Sequence, residues 1–227
     1  GDQNLTNAYV YEKLDGSMIH TFLVNNEIFY ATKAGTTDTS LRVKEWVENH
    51  PNRLNFEAFV RDSHKSKITP IFEWLDHRIP IVVDYEKSNL VLTAMRDLRS
   101  GHYYSYGLLE NFGNVYGIDV VKTYDLDNLD EIVRTAKELE GGEGFVIRKG
   151  DGDMIKIKSE WYVFLHKNRE GILKERHVLQ AILDETIDDI LPFVTESDRL
   201  AVDKYRTEII AEIESVSNDI AKRLDTV

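Results

Sequence analysis

Tyr11-Glu12-Lys13-Leu14-Asp15-Gly16-Ser17 is the stretch on which the reading of this chain turns. An apolar run, Ala8 to Tyr11, leads into it and reads as a buried strand, with Asp15-Gly16 as the turn that ends it. Lys13 is thereby held at a strand end, where the backbone fixes its direction. A lysine is a weak nucleophile at its free pKa of roughly 10.4, and becomes a useful one when burial or a nearby positive charge lowers that value. A lysine one residue before an acid-glycine pair is nevertheless a short pattern, and a surface lysine ahead of a turn looks the same. The residues downstream decide between the two.

The bulk composition narrows the field. The chain has 227 residues, 42% hydrophobic and 30% charged, enough for one sizeable domain and a small appendage. There is no cysteine, which excludes a disulfide framework, a cysteine zinc site and a thiol nucleophile, and suits a reducing cytoplasm. No apolar run approaches the roughly 20 residues that span a bilayer, and no signal peptide opens the chain. The net charge of −12 argues against a broad nonspecific nucleic-acid coat. Residues 170–227 hold 7 Lys or Arg against 14 Asp or Glu, a net of −7. Residues 1–169 hold 21 against 26, a net of −5, so a local basic groove in the first part stays open.

Periodicity gives the elements. Residues 18–24 and 27–33 read as a hairpin turning at Asn25-Asn26. Residues 39–49 and 52–62 read as helices, and 68–75, 80–83 and 90–95 as strands. A helical turn or two covers 105–112. Asn128 to Glu140 is a helix stopped by Gly141-Gly142. Strands follow at 144–148 and 154–158, joined by the turn 149–153. Beyond residue 160 the β signal fades. Ile172 to Ile187 marks one amphipathic helix and Val202 to Ile220 a longer one, with Thr195 or Ser197 as N-caps. The boundary falls near 166–169, giving domains of residues 1–166 and 167–227.

Four further segments carry chemistry that Lys13 could use. Lys33 lies in Ala31-Thr32-Lys33-Ala34-Gly35 at the end of the hairpin. Glu73 sits alone in the apolar strand Ile71-Phe72-Glu73-Trp74-Leu75, where a carboxylate must find a partner such as Arg78 or take up a proton. Glu143 opens the strand Glu143-Gly144-Phe145-Val146-Ile147-Arg148. In Met154-Ile155-Lys156-Ile157-Lys158, period 2 puts Lys156 and Lys158 on one face. Two ammonium groups on one face repel unless an anion lies between them, and phosphate is the natural anion.

In this order the five segments resemble the covalent nucleotidyltransferase superfamily, and within it the phage-type ATP-dependent RNA ligases, the group of the T4 tRNA-repair ligase. The resemblance covers roughly residues 5–166, and Trp161-Tyr162 after the lysine pair is especially like that group. It implies an α+β fold: an ATP-grasp-like nucleotidyltransferase domain of antiparallel sheets flanked by helices, then a small all-helical C-terminal domain. It implies that Lys13 carries AMP in a phosphoramide bond. Asp15 and Gly16 would shape the loop beneath the nucleotide, and the backbone of Glu12 would meet the adenine, with the strand Leu90 to Ala94 as its wall. Lys33 would bind phosphate or the ribose side, Glu73 a ribose hydroxyl or the metal, and Glu143 the divalent cation, Mg2+ or Mn2+. Lys156 and Lys158 would hold the α-phosphate and stabilise its transition state. The partner implied is RNA with 5′-phosphate and 3′-hydroxyl ends, nicked tRNA among them, sealed by a monomer with no membrane association, in the cytoplasm of a phage's host if phage-encoded.

Two departures stand out. Only twelve residues precede Lys13, where the resembled ligases carry a basic N-terminal segment reaching the ATP phosphates, and Gly1 is a candidate expression remnant. The helical tail is also shorter than the resembled C-terminal domain. Three other readings compete: a DNA ligase or a capping guanylyltransferase, which append a β-rich barrel where this tail reads helical, and a nucleotide- or RNA-binding module without turnover. The seven histidines show no metal-ligand spacing. Tyr103, Tyr104 and Tyr106 could stack bases.

Overall fold

The computed structural model describes residues 8–126, 128–150, 152–184, 186–189, 191, 194 and 196–224. Thr195, Asp151 of the turn 149–153, and residues 5–7 of the resemblance lie outside them. The fold is α+β, with two antiparallel four-stranded sheets.

The first sheet is β6(Thr123–Tyr124)-β1(Tyr9–Glu12)-β7(Gly144–Arg148)-β8(Met154–Lys158). Val10, Phe145 and Ile147 on one of its faces form a core with Ile132 and Ala136 of helix α4(Leu129–Glu138). Asn128 caps α4 by accepting from the Glu131 N–H. The helix ends before Leu139, short of the glycine pair expected to stop it.

The second sheet is β3(Glu27–Ala31)-β2(Ser17–Val24)-β4(Ile68–Leu75)-β5(Asn89–Asp97). The hairpin turns at Asn25 and Asn26, both at positive φ, the geometry that asparagine tolerates best among residues with a Cβ. One face buries Ile19, Phe72, Trp74, Leu90 and Leu92 against α1(Asp38–Asn49), α2(Arg53–Lys65) and α3(Tyr106–Tyr116). Thr37 and Ser40 close a capping box at the start of α1. Helix α3 runs further than the turn or two expected, until Gly117 takes the left-handed conformation that ends it.

Residues 80–83 are not a strand. The N–H groups of Val82 and Val83 donate to the Asp15 carboxylate at 2.7 and 2.8 Å in place of a ladder. The short strand β6 escaped the sequence reading, because two residues give no period.

The contacts group residues up to Tyr162 in one compact unit and residues from Val163 in another. Helix α5 covers Glu160–Ile172, so the single helix expected over Ile172 to Ile187 is interrupted: α6 spans Glu175–Leu183 and a 3-10 turn Ile187–Asp189. Helix α7 spans Glu196–Leu224, which puts Ser197 inside its first turn, not at its cap. Within the second unit Val178, Ala181, Ile182, Ile187 and Val202 form a small core. Among the described residues, no helix is long and apolar enough to cross a membrane.

Candidate active site

Between the faces that the two sheets leave free of helices lies a cleft of about 430 Å3. Cross-strand register sets the residues on the first sheet in rows: Tyr9 beside Arg148 and Met154, then Tyr11 beside Val146 and Lys156. The third row begins one residue past β1. Lys13 N–H donates to the Gly144 carbonyl at 2.9 Å, and Gly144 in turn opposes Lys158. Across the cleft, the second sheet presents Met18, Ile71, Glu73 and Thr93.

The third row holds the densest charge. Lys13 Nζ lies 2.6 Å from Glu143 Oε1, and Lys158 Nζ lies 3.0 Å from the same oxygen. Glu143 is 4% exposed, so one buried carboxylate bridges two ammonium groups. The two lysines reach it because the residue between them is glycine. Gly144 has φ +133°, and a Cβ there would fall 2.1 Å from the Ile157 carbonyl oxygen. Any side chain would push β8 away. Lys158 Nζ also lies 4.7 Å from the centre of the Tyr162 ring, within cation–π range.

The loop after Lys13 hangs on Asp15. One carboxylate oxygen accepts from Val82 and Val83, and the other from the Tyr162 hydroxyl at 2.8 Å. The Asp15 N–H donates to the Tyr85 hydroxyl at 2.9 Å. Burial pushes the hydroxyls of Tyr85 and Tyr162 up in pKa, which keeps both neutral, Tyr162 as a donor to Asp15 and Tyr85 as an acceptor from its N–H. Gly16 follows because a Cβ there would lie 2.3 Å from the Trp74 carbonyl oxygen.

Glu73 faces this cluster from the opposite sheet. Its pKa is pushed up to about 7. Burial is the largest cause; Lys13 opposes it, Glu143 and Asp15 add to it, and Lys156 opposes it. Arg78 is not its partner, since that guanidinium pairs with Asp76 at 3.7 Å.

Of the positions singled out from sequence, Glu12, Lys13, Gly16, Glu73 and Lys156 line the cleft. Glu143 and Lys158 join Lys13 at its edge, and Asp15 holds the loop from beneath. Lys33 is not brought in: β3 ends at Ala31, and Lys33 is exposed on the turn that Thr32 and Gly35 close. Thr93 and Ala94 of the expected wall do line the cleft. Sequence reasoning missed Arg148, which is buried, donates to the Tyr11 hydroxyl and lies 4.6 Å from that ring's centre. An arginine ending an apolar strand was the available signal. No three His, Asp or Glu side chains among the described residues cluster as a ready cation site.

The RNA ligase family model matches residues 2–162. The chain belongs to the RNA ligase family. It is 29% identical over 217 residues to a Thermovibrio ammonificans protein that is an RNA ligase by name, covering 89% of this chain and 54% of that protein. It is 24% identical to RNA ligase 1 of bacteriophage TS2126, covering 81% of this chain and 46% of that one. The chain thus spans about half the length of these relatives. In fold it is similar to Naegleria gruberi RNA ligase solved with pyrophosphate, at a TM-score of 0.55 and 17% identity, covering 74% of this chain and 54% of that one. The same Naegleria ligase solved as a K326A mutant with ATP and Mn gives a TM-score of 0.54 and 16% identity, over 74% and 53% of the two chains.

Proposed function

We propose that this chain carries the nucleotidyl-transfer centre of an ATP-dependent RNA ligase that seals 5′-phosphate to 3′-hydroxyl ends, those of nicked tRNA among them. One observation carries the reading: Lys13 and Lys158 converge on the buried Glu143 carboxylate across Gly144, at the edge of a nucleotide-sized cleft. In this reading Lys13 Nζ attacks the α-phosphorus of ATP. The N–P bond forms, the bond to the β-phosphate oxygen breaks, and pyrophosphate leaves. The RNA 5′-phosphate then takes AMP from Lys13. Last, an RNA 3′-hydroxyl attacks that activated phosphate and AMP leaves.

The side chains divide the work. Asp15 and Gly16 set the course of the loop beneath the nucleotide. Glu12, Thr93 and Ala94 border the base, and Glu73 meets the ribose. Lys156 and Lys158 share a strand face and offset charge that builds on the α-phosphate, where preorganised cations do more than covalent help. Glu143 is the carboxylate that would hold a divalent cation, Mg2+ or Mn2+, in company with ATP oxygens. A hard cation taken up with one or two carboxylates and substrate phosphates needs no dedicated protein cage, so the donor set fits. When bound, it neutralises phosphate charge. That the Naegleria ligase was solved with ATP and Mn supports ATP and a divalent cation as the ligands. Residues 1–166 act in this reading as the adenylyltransferase domain. Residues 167–227 act as a small all-helical domain that adjusts RNA choice.

Incubation with labelled ATP and magnesium, followed by a denaturing gel and mass spectrometry, tests the proposal. The expected result is one AMP on Lys13, absent from Lys13→Ala, with GTP giving no label. Full labelling of a folded Lys13→Ala chain would overturn it.

A further inference from the structure

Tyr103 and Arg148 line not only the nucleotide cleft but a second one beside it, of about 640 Å3. Arg96 of β5, Lys149 after β7 and Tyr9 of β1 belong to this second cleft alone. Nothing in the transfer scheme above uses it.

Its basic side chains are unneutralised. By contrast, Arg42, Arg53, Arg78 and Arg99 each lie within 4.0 Å of a carboxylate. Among the described residues, Arg96, Arg148 and Lys149 have no carboxylate at ion-pair distance, in a chain with 40 acidic and 28 basic side chains. The acid in the lining is Asp153. Arg148 is 5% exposed, and its contacts are the Tyr11 hydroxyl, the Tyr104 carbonyl and two aromatic rings. A buried cation with no counter-charge leaves free energy for an anion to recover.

The cleft also offers a flat surface. The guanidinium groups of Arg96 and Arg148 lie 5.6 and 5.5 Å from the centre of the same Tyr103 ring, which fixes its orientation. The rim carries Gly150 and Gly152, and a Cβ on Gly152 would meet nothing nearer than that ring, at 3.7 Å. Unneutralised cations along a groove with an aromatic platform suit a ligand of repeating phosphates and flat rings, which is single-stranded nucleic acid. An acidic peptide matches the charges but has no use for the platform.

We infer that this second cleft is a subsite for single-stranded RNA, with phosphates at Arg96 and Lys149 and a base against Tyr103. The identity of the strand rests on the ligase reading. Tyr9 lies two rows from Lys13, about 13 Å at the usual rise of a strand, so the subsite holds a nucleotide inside the strand, not its reacting end.

The test uses the full chain and a fluorescent 5′-phosphorylated oligoadenylate, with anisotropy read across a salt titration. Arg96→Gln and Lys149→Gln should each weaken RNA binding several-fold and lower the salt slope by about 1. Both should take up labelled AMP as the unaltered chain does. Tyr103→Ala should weaken RNA binding about tenfold, and Tyr103→Phe should restore it. Unchanged RNA affinity and salt slope in both glutamine variants would overturn the subsite. Equal competition by polyglutamate would also overturn it, since that marks a general anion patch. A chain that takes up no AMP at all would instead refute the ligase reading, which the RNA-binding arm does not touch.

Discussion

At the scale of single residues, Glu73 gives the sharpest test. Its pKa is pushed up to about 7 from an ordinary 4.5, chiefly by burial. The folded chain therefore holds this proton more tightly than the unfolded chain does. Stability is then full below about pH 4.5, falls as the pH rises toward about 7, and is level above that. Lys13 and Lys156 limit the loss, while Glu143 and Asp15 deepen it. Glu73→Gln has no proton to lose. It should flatten this stretch of the stability profile and be the more stable form at pH 8, by on the order of 1–3 kcal/mol. Urea denaturation of both chains across pH reads this out, and parallel profiles would refute it. Glu73 was legible as a site residue because a carboxylate in an apolar strand has to be explained. Asp15 was legible as a turn residue. The donors that saturate it were not, because Val82 and Tyr162 lie 67 and 147 positions away and no local pattern records such pairings.

At the scale of elements, the pairing of β7 with β8 governs the site. The alternation of lysine and isoleucine in β8 was readable, and the structure bears it out: Ile155 and Ile157 pack toward α4 while Lys156 and Lys158 are exposed on the other face. What alternation does not record is that the facing residue had to be glycine. Lys158→Ala should lower single-turnover AMP uptake by a factor of about 10² to 10³, as expected for one lost preorganised donor, with little change in melting temperature. Gly144→Ala should lower both, because its Cβ would collide with the Ile157 carbonyl and part the two strands. A Gly144→Ala chain that melts normally and takes up AMP at the usual rate would show that the close approach is not needed. Residues 80–83 make the complementary point. Their β-branched residues read as a strand, but a carboxylate competed for their N–H groups and won.

At the scale of the whole molecule, the order of most elements followed from hydrophobic periodicity, and the α+β class was what the resemblance to the phage-type RNA ligases implied. The boundary expected near 166–169 rested on the fading of the β signal, while the contacts divide at residue 162, inside helix α5. Ending the chain after residue 172 keeps α5 and the Tyr162 contact with Asp15. The shortened chain should take up AMP within a few-fold of the full chain and differ in which RNA it seals. If it folds, by circular dichroism, yet takes up no AMP, the later helices belong to the transfer centre.

The bond between Tyr162 and Asp15 has a consequence for how such a chain comes into being. Ribosomes deliver residues in order, and β1, with Lys13 behind it, emerges ahead of its partners in the sheet. Its neighbours in the sheet, β6 and β7, start only at residues 123 and 144, and the hydroxyl that secures Asp15 comes later still. The second sheet, whose strands all precede residue 98, has its partners in hand well before then. During synthesis β1 therefore waits unpaired while the second sheet already has all its strands, and prematurely terminated chains that stop short of Tyr162 carry Lys13 without the hydroxyl that secures Asp15.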